Sequence, residues 1–450
     1  MAIIEHMIES RLSAGELARV ADVLRATSLP ESDAERIAVL RGLEELKATI
    51  AGVQAEVAVA FDRSQRALQA AQGVAAGQLG RGIAAQVALA RRESPHAGGR
   101  LLGMARALVR EMPCALAALR SGQLSEYRAM LVVRETACLS VEDRADVDSR
   151  VCGDAARAAG LGTRRLVSEC RQVAYRLDPH SVVRRSAQAI SDRYVSLRPA
   201  PDTMTWLTAL LPVAQGVAAY AALRAAADSA RATGDGRGRG QLMADRLVER
   251  LTGQATASAV GVGVHLVMSD QTLLAADAGP AHLAGYGPIP AGVARALVGA
   301  SQEVAGWVRR LYQRPSTGEL VALDSRSRCF PKGLGELIEL RDQTCRTPWC
   351  DAPIRHLDHV QPHEAGGSTS YTNGQGLCEA CNHAKQAPGW RASPGTEGAQ
   401  TVLVETPTGH RYRSWAPQSP GAEGVFEPEP EPGQNWSHAE FAFSRLVMAA

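Results

Sequence analysis

Aromatic residues are scarce: Phe, Trp and Tyr make up 4% of the 450 residues. A core of this composition has to be built largely from Ala, Leu and Val, which suits helices packed on helices. Net charge is nearly absent, with Lys+Arg 49 against Asp+Glu 47 and a formal charge of +2. That excludes a molecule-wide basic field, so any contact with phosphate has to come from local patches. No apolar run reaches the roughly 20 residues of a membrane span. The first residues, MAIIEHMIESRL, carry charges where a signal peptide needs an apolar stretch. These absences predict a soluble, cytoplasmic protein with no membrane partner. No P-loop or dinucleotide fingerprint occurs, because the Gly-rich GDGRGRG at 234–240 has no strand leading into it. Cysteine is thin over most of the chain. Cys114, Cys138, Cys152, Cys170 and Cys329 follow no spacing, as reduced core residues do, which argues against a disulfide framework.

The other four cysteines fall within one short segment, as Cys345-x4-Cys350 and Cys378-x2-Cys381. Two thiolate pairs at this spacing are what a tetrahedral structural Zn²⁺ needs, since each short loop turns two sulfurs toward one centre. Four of the eleven histidines, His356, His359, His363 and His383, lie in or beside the same segment. The alternation Ile354, Leu357, Val360 predicts a short strand ended by Pro362. Gly366-Gly367 makes a turn, and a second strand runs from Asn373 to Leu377. A helix of about two turns then carries Asn382, His383 and Lys385, up to Pro388-Gly389. Asp358 and His359 are neighbours on a strand, so they share one site only where the strand twists or bulges.

The run D-H, x-P-x-x-x-G-G, N, L-C-x-x-C-N-x-x-K resembles the HNH, or ββα-metal, endonuclease motif. The resemblance implies that His359 is the general base on a water and that Asn373 holds its imidazole in orientation. It implies that Asp358 and Asn382 bind the catalytic ion; His383, one place on, is the alternative ligand. The residue chemistry agrees independently. An oxygen pair such as Asp358 and Asn382 suits Mg²⁺ or Mn²⁺, and an imidazole is a reasonable base at neutral pH. Lys385, one helical turn after Asn382, is placed to meet a phosphate. His356, two residues before Asp358, shares its strand face and is either a further contact to metal or phosphate or a surface histidine. His363 falls in the loop and is expected in solvent.

Upstream, residues 1–190 read as helical. Apolar positions from Ile37 through Leu40, Leu43, Leu46, Ile50, Val53 and Val57 to Phe61 predict one long amphipathic helix. It serves either a packed hairpin within the chain or a homodimer through residues 34–72. A helix at 82–92, a break, and an arginine-bearing helix opened by Ser94-Pro95 are compatible with a helix-turn-helix. Ser125 reads as a helix cap. Residues 164–198 hold eight arginines against Glu169, Asp178 and Asp192, the best local candidate for phosphate contacts. Residues 191–333 read as an α+β region continuing that domain, with strands at 193–198, 204–210 and 260–268, helices between them, and a hairpin at 316–318. Residues 334–416 form the nuclease domain with its structural zinc and a closing hairpin at 401–415. A Pro/Glu linker (417–437) and a short C-terminal helix (438–450) follow. The fold class is therefore multidomain: mainly α, then α+β, then a small zinc-stabilised ββα-metal domain.

The architecture as a whole resembles an actinobacterial family, the thirteen-E-twelve repeat proteins. These join a helical domain of unknown function to an HNH domain. The resembling stretches are 110–125, LRPAPD to LLP, GYGPIPAGVARAL, and CRTPWC through CNHAKQAPGW. The expected function is a metal-dependent endonuclease acting on DNA. The competing expectation is a zinc-stabilised DNA- or protein-binding module without turnover.

Overall fold

A computed structural model describes residues 12–257, 266–274, 277–300, 329–395 and 401–417. Contacts divide the chain into two units, Met1–Phe61 with Leu102–Val182, and Asp62–Leu101 with Val183–Ala450. The mainly α part contains α1 (Ala14–Ala26), α2 (Asp33–Ala71), α3 (Ile83–Arg91), α4 (Pro95–Glu111), α5 (Pro113–Arg120), α6 (Glu126–Glu135), α7 (Val141–Cys152), α8 (Ala155–Gly160), α9 (Thr163–Leu177) and α10 (Pro179–Ala189).

In the first unit the long helix expected from Ile37 is α2. Its Ala48, Ala51, Ala55 and Val59 recur at three- and four-residue spacing and are buried, the last two against Ala105 of α4. The face that packs within the chain is therefore offset from the expected repeat, of which Ile37, Leu40, Leu43, Ile50 and Val57 stay exposed. Leu119, Val132, Val147, Val151, Ala158, Leu166 and Cys170 complete the buried faces of α5 to α9. Ser125 caps α6 through the Arg128 N–H, and Ser140 caps α7. Helix α5 starts at Pro113 without a capping side chain of its own. Asp148 of α7, fully buried, supplies the cap instead, accepting from the N–H groups of Cys114 (2.7 Å) and Ala115 (2.8 Å). Burial pushes its carboxyl up from the usual range, against the pull of those two bonds. The basic run beyond residue 164 is partly neutralised: Arg171 pairs with Glu135 and Arg165 with Glu169.

In the second unit, β1 (Tyr194–Pro199) and β2 (Thr205–Leu210) form the expected antiparallel hairpin. Helices α11 (Val213–Ala232) and α12 (Arg239–Thr252) pack on each other. A small antiparallel sheet of β3 (Leu266–Val267), β4 (Ala281–Leu283) and β5 (Gly287–Ile289) follows, with α13 (Asp270–Leu274) and α14 (Ala291–Ala300). Most of the strand expected from Val260, the hairpin at 316–318, the linker beyond 417 and the C-terminal helix lie outside the described residues. No helix among the described residues is long and apolar enough to cross a membrane.

The C-terminal segment contains α15 (Lys332–Asp342), β6 (His356–His359), β7 (Gly374–Leu377), α16 (Glu379–Lys385), β8 (Arg391–Pro394), β9 (Thr401–Glu405) and β10 (Arg411–Trp415). β6 and β7 pair antiparallel, His356 opposite Leu377 and His359 opposite Gly374. The hairpin expected at 401–415 gains a third strand, β8, in the order β10-β9-β8. Leu334 and Ile338 of α15 pack on Tyr371, with Phe330, Leu337 and Leu357 around them. Within this core Arg341 is 1% exposed. It pairs with Asp342 (2.6 Å) and donates to the carbonyls of Tyr371 (2.6 Å) and Gly374 (2.7 Å). Asp342 in turn accepts from the Gly376 N–H at 2.7 Å. A buried ion pair is tolerable only when its remaining donors and acceptors are met, and here they tie α15 to β7 and to the turn before it.

Helix α3 lies against this segment. Arg81 donates to Gln386, the Thr408 hydroxyl to Gln86, and Trp390 sits over Gly82. At Gly82 φ is +80°, and a Cβ there would be 2.7 Å from Trp390 Nε1, so only glycine fits the contact. One helix of the anticipated helix-turn-helix is thereby engaged in internal packing.

Candidate active site and metal centre

Cys345, Cys350, Cys378 and Cys381 are all buried, with every pair of sulfurs within 4.8 Å. The Cys350 and Cys378 sulfurs are 3.7 Å apart. Tetrahedral thiolates about 2.3 Å from one Zn²⁺ stand close to that separation. The loop after α15 delivers the first pair and the end of β7 the second, where Cys378 also caps α16 by accepting from the Cys381 N–H. Cys345, receiving hydrogen bonds from Cys350 and Cys381, is held below the usual thiol range, and the thiols of its two donors are pushed above it. Four such groups are compatible with one another as thiolates only around a cation. The donor set fits zinc and leaves no open position for chemistry.

His359 ends β6 and is 9% exposed. Its Nε2 lies 2.9 Å from the Thr369 hydroxyl, its ring is 4.6 Å from that of Phe330, and His363 stands edge-on at 5.6 Å. Asn373 bonds to the loop that follows His359. It accepts from the Gln361 N–H (2.8 Å) and donates to the carbonyls of Gln361 (3.0 Å) and Ser368 (2.8 Å). The resemblance implied that Asn373 acts on the imidazole. Its three side-chain bonds go to backbone instead, and the ring contact is made by Thr369. Neither Thr369 nor Phe330 was found from sequence, because their only signal is proximity in the folded loop. His363, exposed as expected, also faces the His359 ring.

Helix α16 packs on β6. Asn382 Oδ1 is buried without a hydrogen-bond partner among the described residues, whereas the adjacent His383 is exposed. An amide oxygen withdrawn from water with nothing to accept from is an orphan that a hard cation would satisfy. Lys385 lies on the expected helix, but its partners were not read from the sequence. Its Nζ is 2.5 Å from Asp358 Oδ2 and also donates to the His359 carbonyl. His356, at the start of β6, is exposed.

Gly367 closes the loop held by Asn373. A Cβ there would collide with the Gln361 carbonyl and stand 2.7 Å from Asn373 Nδ2. Gly367→Ala is expected to lower stability by about 1–3 kcal/mol, as overpacking does. Denaturant titration is the measurement; an unchanged midpoint would show that the loop yields freely.

Comparison with known proteins fits this geometry. Residues 343–387 match the family described as HNH endonuclease. An uncharacterized protein of Mycobacterium tuberculosis, Rv3776, is 35% identical over 82 residues, 18% of this chain and 15% of that protein, so the chain spans a small fraction of its relative's length. No solved structure matches. Residues 37–342, more than half of the chain, match the Domain of unknown function (DUF222), and the chain belongs to that family, followed by an HNH domain.

Proposed function

We propose that the protein is a metal-dependent endonuclease that hydrolyses phosphodiester bonds in DNA. The observation that carries this reading is the buried Asn382 Oδ1, without a hydrogen-bond partner among the described residues, on the helix packed against the strand that bears Asp358 and His359. The imidazole of His359, oriented by Thr369 and Phe330, takes the proton of a water as that water attacks phosphorus. Asn373 keeps the loop, and with it Thr369, in place. Asp358 and Asn382 hold a divalent ion, Mg²⁺ or Mn²⁺, which when bound neutralises charge on the scissile phosphate and the leaving oxygen. The four cysteines hold Zn²⁺ for structure alone. The reading places the protein in the cytoplasm, where Cys152 and Cys170, whose thiols burial pushes up to about 12, stay reduced. A homodimer through 34–72 would use the exposed repeat Ile37, Leu40, Leu43, Ile50 and Val57, since the face with Ala48, Ala51, Ala55 and Val59 is packed internally.

The test is conversion of supercoiled plasmid by the zinc-loaded chain with Mg²⁺ or Mn²⁺, against the same reaction in EDTA. Nicking or linearisation that requires the ion is expected. DNA retention with no cleavage under any metal would favour the second reading, a zinc-stabilised DNA- or protein-binding module. One observation supports that alternative: the Asp358 carboxylate already has a cation beside it in Lys385.

A further inference from the structure

We propose that Lys385 is an internal cation that occupies the Asp358 carboxylate in the metal-free protein, and that it must be displaced for the divalent ion to bind. The inference rests on the endonuclease reading and adds to it a coupling between metal and DNA. The Lys385 ammonium lies 2.5 Å from Asp358 Oδ2 and also donates to the His359 carbonyl, so it spans the two neighbouring residues of the site. The paired side chains are 15% and 26% exposed, shielded enough that water screens the attraction only in part. Lys385 follows Asn382 by three residues on α16, so both side chains project from one face of the helix. The orphaned amide oxygen and the ammonium are thus delivered by the same surface.

Two cations on one carboxylate repel each other, so an ion entering at Asp358 and the ammonium compete. Lysine is suited to such an exchange. Its charge sits on a four-carbon stem with three rotatable donors, and it leaves through a rotamer change without any backbone movement. The anion that a DNA complex brings to the site is a phosphate, and it is a natural partner for the released ammonium. Phosphate draws Lys385 off Asp358, and the ion keeps it off. Metal and DNA then strengthen each other's binding by the same factor. Lys385 is in this account a positioning residue that acts through Asp358.

The experiment is Mn²⁺ titration of the zinc-loaded full chain, read by loss of the free-ion paramagnetic signal. Lys385→Met is expected to bind Mn²⁺ about tenfold more tightly than wild type without DNA, the scale of one lost charge-assisted bond. Lys385→Arg, which keeps the cation, should restore weak binding, and Asp358→Asn should abolish it. A short DNA duplex should tighten Mn²⁺ binding by the wild type and leave Lys385→Met unchanged. Equal or weaker binding by Lys385→Met overturns the proposal and leaves the nuclease reading standing. Absence of Mn²⁺ binding in both proteins, with zinc retained, overturns both. Should Lys385→Met lose its zinc, amine acylation of the wild type decides. Mn²⁺ must increase labelling of Lys385, and unchanged or reduced labelling refutes the displacement.

Discussion

His359→Ala is expected to lower metal-dependent plasmid cleavage by about 10²–10⁴-fold, the usual contribution of a positioned general base. The imidazole is nearly buried, fixed by the Thr369 hydroxyl and packed on Phe330, so its position is set before substrate arrives. Truncation leaves Thr369 and Phe330 beside a gap, yet it removes no bond of the Arg341–Asp342 network and no zinc ligand. Zinc content and circular dichroism should therefore match the wild type while cleavage falls. Cleavage that survives the substitution would remove His359 as the base. His363, whose ring faces it at 5.6 Å, would then be the next residue to replace.

Cys378→Ser is expected to abolish both zinc binding and cleavage. Structural zinc contributes on the order of 10–16 kcal/mol in small metal-dependent folds, against about 5–15 kcal/mol for the whole stability of a domain. Cys378 does more than ligate: its sulfur caps α16, the helix that carries Asn382 and Lys385. Losing it frees the end of β7 and the start of α16 together. A chromogenic chelator should find no tightly held zinc, and ellipticity should fall by only the small share of this segment. A variant that retains one equivalent of zinc and full activity would show that the cluster is not a metal site.

The four-cysteine cluster and the strand-loop-strand-helix order were legible because they are local. Ligand spacing, strand alternation and Pro362 act within a few residues of where they are written. The same is true of α2 as a helix, although its buried face is not the one the apolar repeat marked, and of the cap at Ser125. What escaped was decided by contacts distant in sequence. Nothing in the sequence sets Arg341 and Asp342 apart from the other charges of their helix, and they are buried against Tyr371, Gly374 and Gly376. Asp148 reads as one of several acidic residues in α7, and only the fold brings it to the bare start of α5. Strand β8, four residues ending in Pro394, has no alternation to read and exists because β9 offers it an edge. Lys385 was placed correctly on its helix, but its partner is on a strand 26 and 27 residues earlier.

The boundary between the two family matches falls after residue 342, immediately behind the buried Arg341–Asp342 pair. Yet those two residues are anchored in β7 and its approach, and the α15 side chains Leu334 and Ile338 form the floor beneath Tyr371. Sequence ancestry and mechanical integrity thus draw different borders. An HNH segment cut at residue 343 would leave behind the helix whose Leu334 and Ile338 fill its interior. A fragment that starts before Phe330 is therefore expected to close its core, where one that starts at residue 343 leaves Tyr371 and Leu357 uncovered.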